Sequence, residues 1–398
     1  MQGLKELFRE KFGRSPAHIV QAPGRVELLG NHTDYNEGLV MSIAVDRYLF
    51  MASAARNDGK IELVSSAFPE RAIFYADKIE KNPATPWANH VKGVLLQLRQ
   101  RRAHFTGFNA AIHATLPLGA GMGSSAALAV AAALTVRKLF PYSITDTGLR
   151  AAPRRDAKGT LPPLDKAEKL ALAKLCQTAE GEFVGANVGP LDQISSLFGK
   201  AGHVLQIDCR ELTVSHDPMA PGVGVVVCNS GVKHDLAQAG GYNELRQCCE
   251  SAARALGMPA LRSVDMRLLE KSKSRLSQRE YECAYHIVGE NQRVIAGERA
   301  LREGDVEQFG QYFSQSHASS RDVFKNSCRE LDILVNLAMA QPGCLGARLS
   351  GGGFGGATVN LVREAAINVF TAAMSEGYER ATGHKMEPLI CKIVDGAS

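Results

Sequence analysis

"LPLGAGMGSSAALAVAAAL", Leu116 to Leu134, runs from a strand-like end through a glycine cluster into a helix of small residues. Glycines let backbone N–H groups approach a ligand without Cβ interference. The first turn of a helix adds unpaired N–H donors and a partial positive charge. Together these predict a phosphate site, with Ser124 or Ser125 either capping the helix or turning its hydroxyl to Mg²⁺. A plain serine cap on a packed alanine helix is the competing explanation. No Lys follows the glycines, so this is not the GxxxxGK[ST] loop. The strand before it is not the first element. The next acidic residue, Asp146, falls in a loop-like segment, so a dinucleotide fingerprint fails as well.

Around this stretch, strands and helices alternate irregularly. Leu4 to Phe12 has helical period, and "HIVQA", "RVELLG", "LVMSIAV", "RYLFMASAA" and "KIELVSS" read as separate strands. Trp87 to Leu98 is helical, Phe108 to Pro117 a strand, and Ser124 to Leu139 a helix. Tyr142 to Asp165, rich in Pro, Gly and charge, reads as an exposed insertion between helices. Lys166–Glu182, Tyr242–Leu256 and Cys283–Arg302 are predicted helices, and His203–Cys209 and Gly222–Ser230 strands. "GARLSGGGFGGATVNLV", Gly346 to Val362, is a glycine-rich loop feeding a strand. This mixture favours α+β over a doubly wound sheet. A division into 1–210 and 211–398 is expected.

The chain has 398 residues, 45% hydrophobic and 22% charged, enough to bury a large core in one or two domains. A net charge of +5 without a clustered basic face does not indicate nucleic acid, but it suits small anions such as nucleotides. "RQRR", Arg99 to Arg102, reads as solvated surface. Nine scattered cysteines without a CxxC pair argue against zinc and for reduced thiols in a cytoplasm. The first residues lack a signal-peptide apolar region, and no run is long enough for a membrane span.

Two further stretches concentrate polar groups. "APGRVELLGNHTDYNEG", Ala22 to Gly38, carries Arg25, Glu27, Asn31, His32 and Asp34. "GANVGPLDQISS", Gly185 to Ser196, carries Asp192 in a Gly/Pro turn, where a lone Asp is ordinarily a cap.

In order, the Ala22, Leu116 and Gly346 stretches resemble the three signature motifs of the GHMP small-molecule kinases. Within that superfamily "GNHTDY", "WANHVKGV", "PLDQISSLFG", "NSGVKHDLA", "YNELRQCCE" and "HIVGENQRV" resemble the galactokinases. The resemblance runs from about residue 8 to 394. It implies a two-domain α+β fold with the active site in the interdomain cleft. It also implies transfer of the ATP γ-phosphate to the anomeric hydroxyl of galactose. Asp192 matches the family's catalytic Asp and Arg25 its catalytic Arg. Asn31, His32, Asp34, Tyr242 and Gly189 fall at sugar positions. Gly119, Gly121, Gly123, Ser124, Ser125, Ala126 and Trp87 fall at ATP positions. Ser124 or Ser125 with Glu180 would hold Mg²⁺. The partners implied are a small-molecule sugar and a nucleotide, with no nucleic acid and no membrane; no oligomeric state is implied.

The resemblance has one departure. Galactokinases commonly read "GRVNLIGEHTDY", whereas this chain has Glu27 and Asn31, the two residue types exchanged. Either Glu27 returns a carboxylate to the same pocket, since side chains four apart on a strand share a face. Or the lost charge at Asn31 admits another sugar, such as a uronic acid. A galactose- and ATP-binding sensor without catalysis is a third class; it would normally show damage in the phosphate loop or at Asp192, and both are intact here.

Overall fold

The computed structural model describes residues 2–117, 119–232 and 236–398, with no side-chain description for 236–240. Part of the "NSGVKHDLA" stretch therefore lies outside the described residues. The strands are β1 (His18–Leu29), β2 (Leu39–Arg56), β3 (Lys60–Ser65), β4 (Ala72–Tyr75), β5 (Gly107–Ala114), β6 (Ser143–Thr145), β7 (Gly148–Arg150), β8 (His203–Asp208), β9 (Thr213–Pro218), β10 (Val223–Asn229), β11 (Cys344–Ser350), β12 (Ala357–Arg363) and β13 (Leu389–Cys391). The helices are α1 (Gln2–Phe12), α2 (Asn89–Gln100), α3 (Ser124–Leu139), α4 (Lys166–Thr178), α5 (Leu191–Phe198), α6 (Leu236–Ala255), α7 (Met266–Lys271), α8 (Gln278–Glu303), α9 (Val306–Ser319), α10 (Arg329–Met339) and α11 (Ile367–Thr382).

Two sheets organise the molecule. A seven-stranded sheet has the order β4-β3-β5-β2-β8-β9, with β1 also on β2; a four-stranded sheet has the order β11-β12-β10-β13. All pairings are antiparallel except β3 with β5. This is the α+β arrangement expected from the irregular element order. The first sheet extends past residue 210, because β9 pairs with β8 along its whole length. The chain's last described residues also return to it: Ser398 exchanges backbone hydrogen bonds with Gln21.

Three expectations change in detail. "HIVQA" and "RVELLG" are one strand, β1, continuous through Pro23; the register shifts at Pro23/Gly24, where Arg25 N–H bonds instead to the Met122 carbonyl. "LVMSIAV" and "RYLFMASAA" likewise merge into β2. The 142–165 segment is not wholly exposed. It contains the β6–β7 hairpin, and Tyr142 and Ile144 are buried in the core.

α3 is the central helix. Its alanines and valines are buried nearly all round, so small side chains let it pack closely against β1, β2 and α5. That packing fixes its N-terminus beside β1.

Candidate active site

β1 is buried along its second half, yet it carries Arg25 and Glu27 on one face. Arg25 reaches across to the start of α5. Its Nε donates to Asp192 Oδ1 at 2.6 Å and its Nη2 to Oδ2 at 2.7 Å, while Nη1 donates to the Gly121 carbonyl. The planar guanidinium matches both carboxylate oxygens at once. Although burial opposes its charge, Asp192 raises the Arg25 pKa further. So one side chain joins β1, the glycine loop before α3 and the Asp192 turn.

A cavity of ≈ 110 Å³ opens here, lined among others by Arg25, Glu27, His32, Asp34, Asp192 and Tyr242. Asp34 starts the short 3₁₀ turn Asp34–Asn36. Burial, then the charges of Glu27 and Asp192, push its carboxyl up to about 7. Gly189 is not among the lining residues; any Cβ there would overlap the Asp34 carboxylate, so glycine gives Asp34 its place. His32, at φ 60, donates from Nε2 to the Gly352 carbonyl at 3.0 Å, which leaves Nδ1 to accept from the Tyr35 hydroxyl at 2.7 Å. Burial lowers its pKa to about 4, so the ring is neutral. Its ring packs on Tyr242, 5.0 Å between centroids.

Asn31 takes a different place from the one its position in the motif suggests. It is fully buried outside the cavity lining. Its amide donates to Glu27 Oε1 at 3.1 Å and to the Gly351 carbonyl at 2.8 Å, and its carbonyl accepts from Asn326 at 3.0 Å. No hydrogen-bonding capacity of the amide N–H₂ remains for a sugar. Glu27 instead faces the cavity, held from behind by Arg348 at 2.8 Å.

The phosphate loop abuts both motifs. Gly123, at φ 70, precedes α3, and a Cβ there would lie 3.2 Å from Arg25 Cγ and 3.3 Å from Asp192 Oδ2. The first intrahelical bond runs from Ala127 N–H to the Gly123 carbonyl. The amides of Ser124, Ser125 and Ala126 therefore have no helical acceptor, although the Ala126 methyl is buried. Gly121 touches the third motif: a Cβ on it would be 3.0 Å from the Ser350 carbonyl. Gly119, at φ 76, has open space around it.

Beside this loop a second cavity, ≈ 170 Å³, is lined by Trp87, Phe68, His90, Ser124 and Ser125 among others. Trp87 and Phe68 stack at 5.9 Å and 4°, and the Trp87 indole N–H, although buried, has no partner. Glu180 lies in a π-helical turn following α4. It accepts from the Gln193 amide at 2.8 Å, with His90 Nδ1 3.9 Å away and Ser125 nearby. Burial, then the Asp192 charge, raises its carboxyl to about 7. A buried carboxylate beside a hydroxyl, whose basic neighbour His90 is held neutral by burial, is a hard oxygen set that fits Mg²⁺. Among the described residues, no group of three His, Cys, Asp or Glu side chains could hold a metal by itself.

Four supporting residues escaped the sequence analysis. Glu290 of α8 accepts from the backbone N–H groups of Gly30 and Asn31, at 3.1 and 2.9 Å. Burial opposes its charge, yet Arg293, His286 and Arg348 hold it down at about 2. Asn291 accepts from Leu39 N–H at 2.8 Å. Arg348 and Asn326 hold Glu27 and Asn31. For Glu290, Asn291 and Arg348 the advance signal was that "HIVGENQRV" and "GARLS" lie in stretches that resemble the family; Asn326 lies outside both.

Three segments match known family models: residues 6–55 the galactokinase galactose-binding signature, 89–154 the N-terminal domain of GHMP kinases and 298–380 their C-terminal domain. The chain is 38% identical to a galactokinase of Roseiflexus sp. over 99% of this chain and 95% of that one. It is 40% identical to the galactokinase of Homo sapiens, covering 91% and 88%. The fold superposes on Lactococcus lactis galactokinase complexed with galactose with a TM-score of 0.89 at 27% identity, covering 100% and 99%. Methanococcus jannaschii mevalonate kinase shares the fold, with a TM-score of 0.62 at 16% identity over 95% and 98%. Among the described residues no helix is long and apolar enough to cross a membrane.

Proposed function

The chain belongs to the galactokinase family, and from that membership we propose how its own side chains carry the transfer of the ATP γ-phosphate to the anomeric hydroxyl of galactose. The observation that supports the assignment most is the forked Arg25–Asp192 pair, set where the sugar cavity meets the phosphate loop. Asp192 accepts the hydroxyl proton on a lone pair that Arg25 leaves free. The remaining guanidinium N–H groups stabilise charge developing on the attacking oxygen and the phosphoryl group. Asp34 accepts hydrogen bonds from sugar hydroxyls, and Tyr242 and His32 wall the ring.

The α-, β- and γ-phosphates lie on the free amides of Ser124, Ser125 and Ala126 and the loop Gly119–Gly123. The base lies in the Trp87 cavity. Ser125, the serine near Glu180, and Glu180 itself would hold Mg²⁺. When bound, the ion supplies neutralising charge to the phosphates. The unpaired cysteines, most of them buried, support a reducing, cytoplasmic setting.

The exchange at positions 27 and 31 supports galactose over a uronic acid. Glu27 carries the carboxylate into the cavity, and a carboxylate there repels a sugar acid. The sensor alternative finds no support, because Arg25, Asp192, Glu180 and the serine loop are all in place. The test is coupled ADP release with ATP and Mg²⁺ on galactose, glucose, N-acetylgalactosamine and galacturonate. Galactose is expected to dominate; preference for galacturonate would overturn the role given to Glu27.

A further inference from the structure

A third cavity, of ≈ 530 Å³ and lined by five basic side chains, lies between the start of β1, the C-terminal end of α3, residues 155–164 and α4. Two of its cations serve the fold. Arg137 donates to the Tyr142 and Pro162 carbonyls, and Arg155 to those of Lys138 and Gly159. Three other basic groups, His18, Lys138 and Lys169, are half-buried around the same cavity. None has a side-chain hydrogen-bond or ion-pair partner among the described residues. The Lys169 ammonium sits over the Phe198 ring, 5.3 Å from its centroid, and Asp395 is the acid on its side. The rest of the wall includes Leu134, Leu161 and Pro162.

Half-buried like charges are costly to keep together, and of these three Lys169 alone has an acid, Asp395, beside it. Burial, then the neighbouring cations, lowers the pKa of both His18 and Lys138. An anion between them would remove that cost, and the apolar wall offers room for its body. The cavity is separate from the catalytic cleft. α3 has 16 residues, a span of roughly 24 Å, with the phosphate loop at one end and this cavity at the other.

We propose that this cavity is a second ligand site for a phosphorylated small molecule with an apolar or planar body. The phosphate faces Lys138, Lys169 and His18, and the body rests on Leu134, Leu161 and Pro162. Calorimetry on the full chain tests it, with phenyl phosphate as probe and with galactose and a non-hydrolysable ATP analogue saturating the cleft. Binding of one probe per chain is expected to persist under those conditions. Lys138→Gln with Lys169→Gln should weaken it at least tenfold and leave phosphate transfer to galactose unchanged; Leu161→Asp should weaken it as well. The proposal is overturned by absent heat at millimolar probe, by competition from the cleft ligands, or by undiminished binding in the double variant. Inorganic phosphate binding as tightly as phenyl phosphate would also overturn it, because the apolar wall would then contribute nothing.

Discussion

The carboxylate of Glu27 lies 2.8 Å from the guanidinium of Arg348, and both side chains are buried at the back of the cavity that Asp34 and Asp192 line. Arg348 also donates to the Leu28 carbonyl, so it braces β1 through both side chain and backbone. Removing one partner of such a pair leaves an uncompensated charge away from water. Arg348→Met should therefore destabilise the protein by roughly 3–5 kcal/mol, and Arg348→Met with Glu27→Gln should recover much of that. Urea unfolding of the two variants decides it; a single variant as stable as the parent would mean the pair is solvated.

Asn31 and Glu27 share a hydrogen bond at 3.1 Å. Asn31→Glu alone would set two carboxylates against each other and lose the bond to the Gly351 carbonyl. We expect it to be strongly destabilising, and Glu27→Asn in the same chain to relieve it. A double-mutant cycle should give a coupling of about 0.5–3 kcal/mol. Additive effects would show that the two positions are not exchangeable partners.

Arg25→Lys keeps the charge but not the fork that spans both Asp192 oxygens. It should lower kcat by about 10²–10³, the usual loss for one pre-set electrostatic contact, with galactose KM little changed. Asp192→Asn should lower kcat by about 10²–10⁴. Steady-state kinetics with both substrates varied checks the split; a loss confined to KM would assign the pair to binding.

The Asp34 carboxyl sits near 7 in the free protein, above its value in an unfolded chain. The ionised form accepts sugar hydroxyls, so galactose KM should fall as pH rises from about 6 to 8. Stability runs the other way. Between about pH 4 and 7 the native state holds a proton the unfolded state has lost, so this group's contribution declines as pH rises through that window. Asp34→Asn should accordingly raise the Tm of the ligand-free protein at pH 8 while abolishing galactose binding. Thermal melts at pH 5 and pH 8, with and without galactose, test both signs.

Gly189→Ala would drive a Cβ into the Asp34 carboxylate. Galactose KM should rise at least tenfold with ATP KM nearly unchanged. Equal effects on both substrates would indicate a general collapse of the turn.

Much of this molecule was legible in the chain. α3 ran from Ser124 to Leu139 as its small-residue pattern required, and the three motifs in order marked the cleft. Local signals failed where the fold overrode them. Pro23 reads as a strand break, yet the bulge at Pro23/Gly24 passes the missing N–H harmlessly and β1 continues. The insertion reads as polar loop, yet Tyr142 and Ile144 find the core.

The sequence by itself determined which chemistry is available: a glycine loop opening a helix, an Arg and an Asp in matching motifs, a carboxylate for a metal. These depend on residue type and short spacing, which the chain states directly. Only the tertiary structure decided which of Glu27 and Asn31 faces the cavity. That choice is made by Arg348, Gly351, Asn326 and Glu290, some 260 to 320 residues away along the chain. Gly351 and Asn326 take up the Asn31 amide, Glu290 holds its backbone N–H, and Arg348 engages Glu27 through Oε1; no local pattern records that accounting.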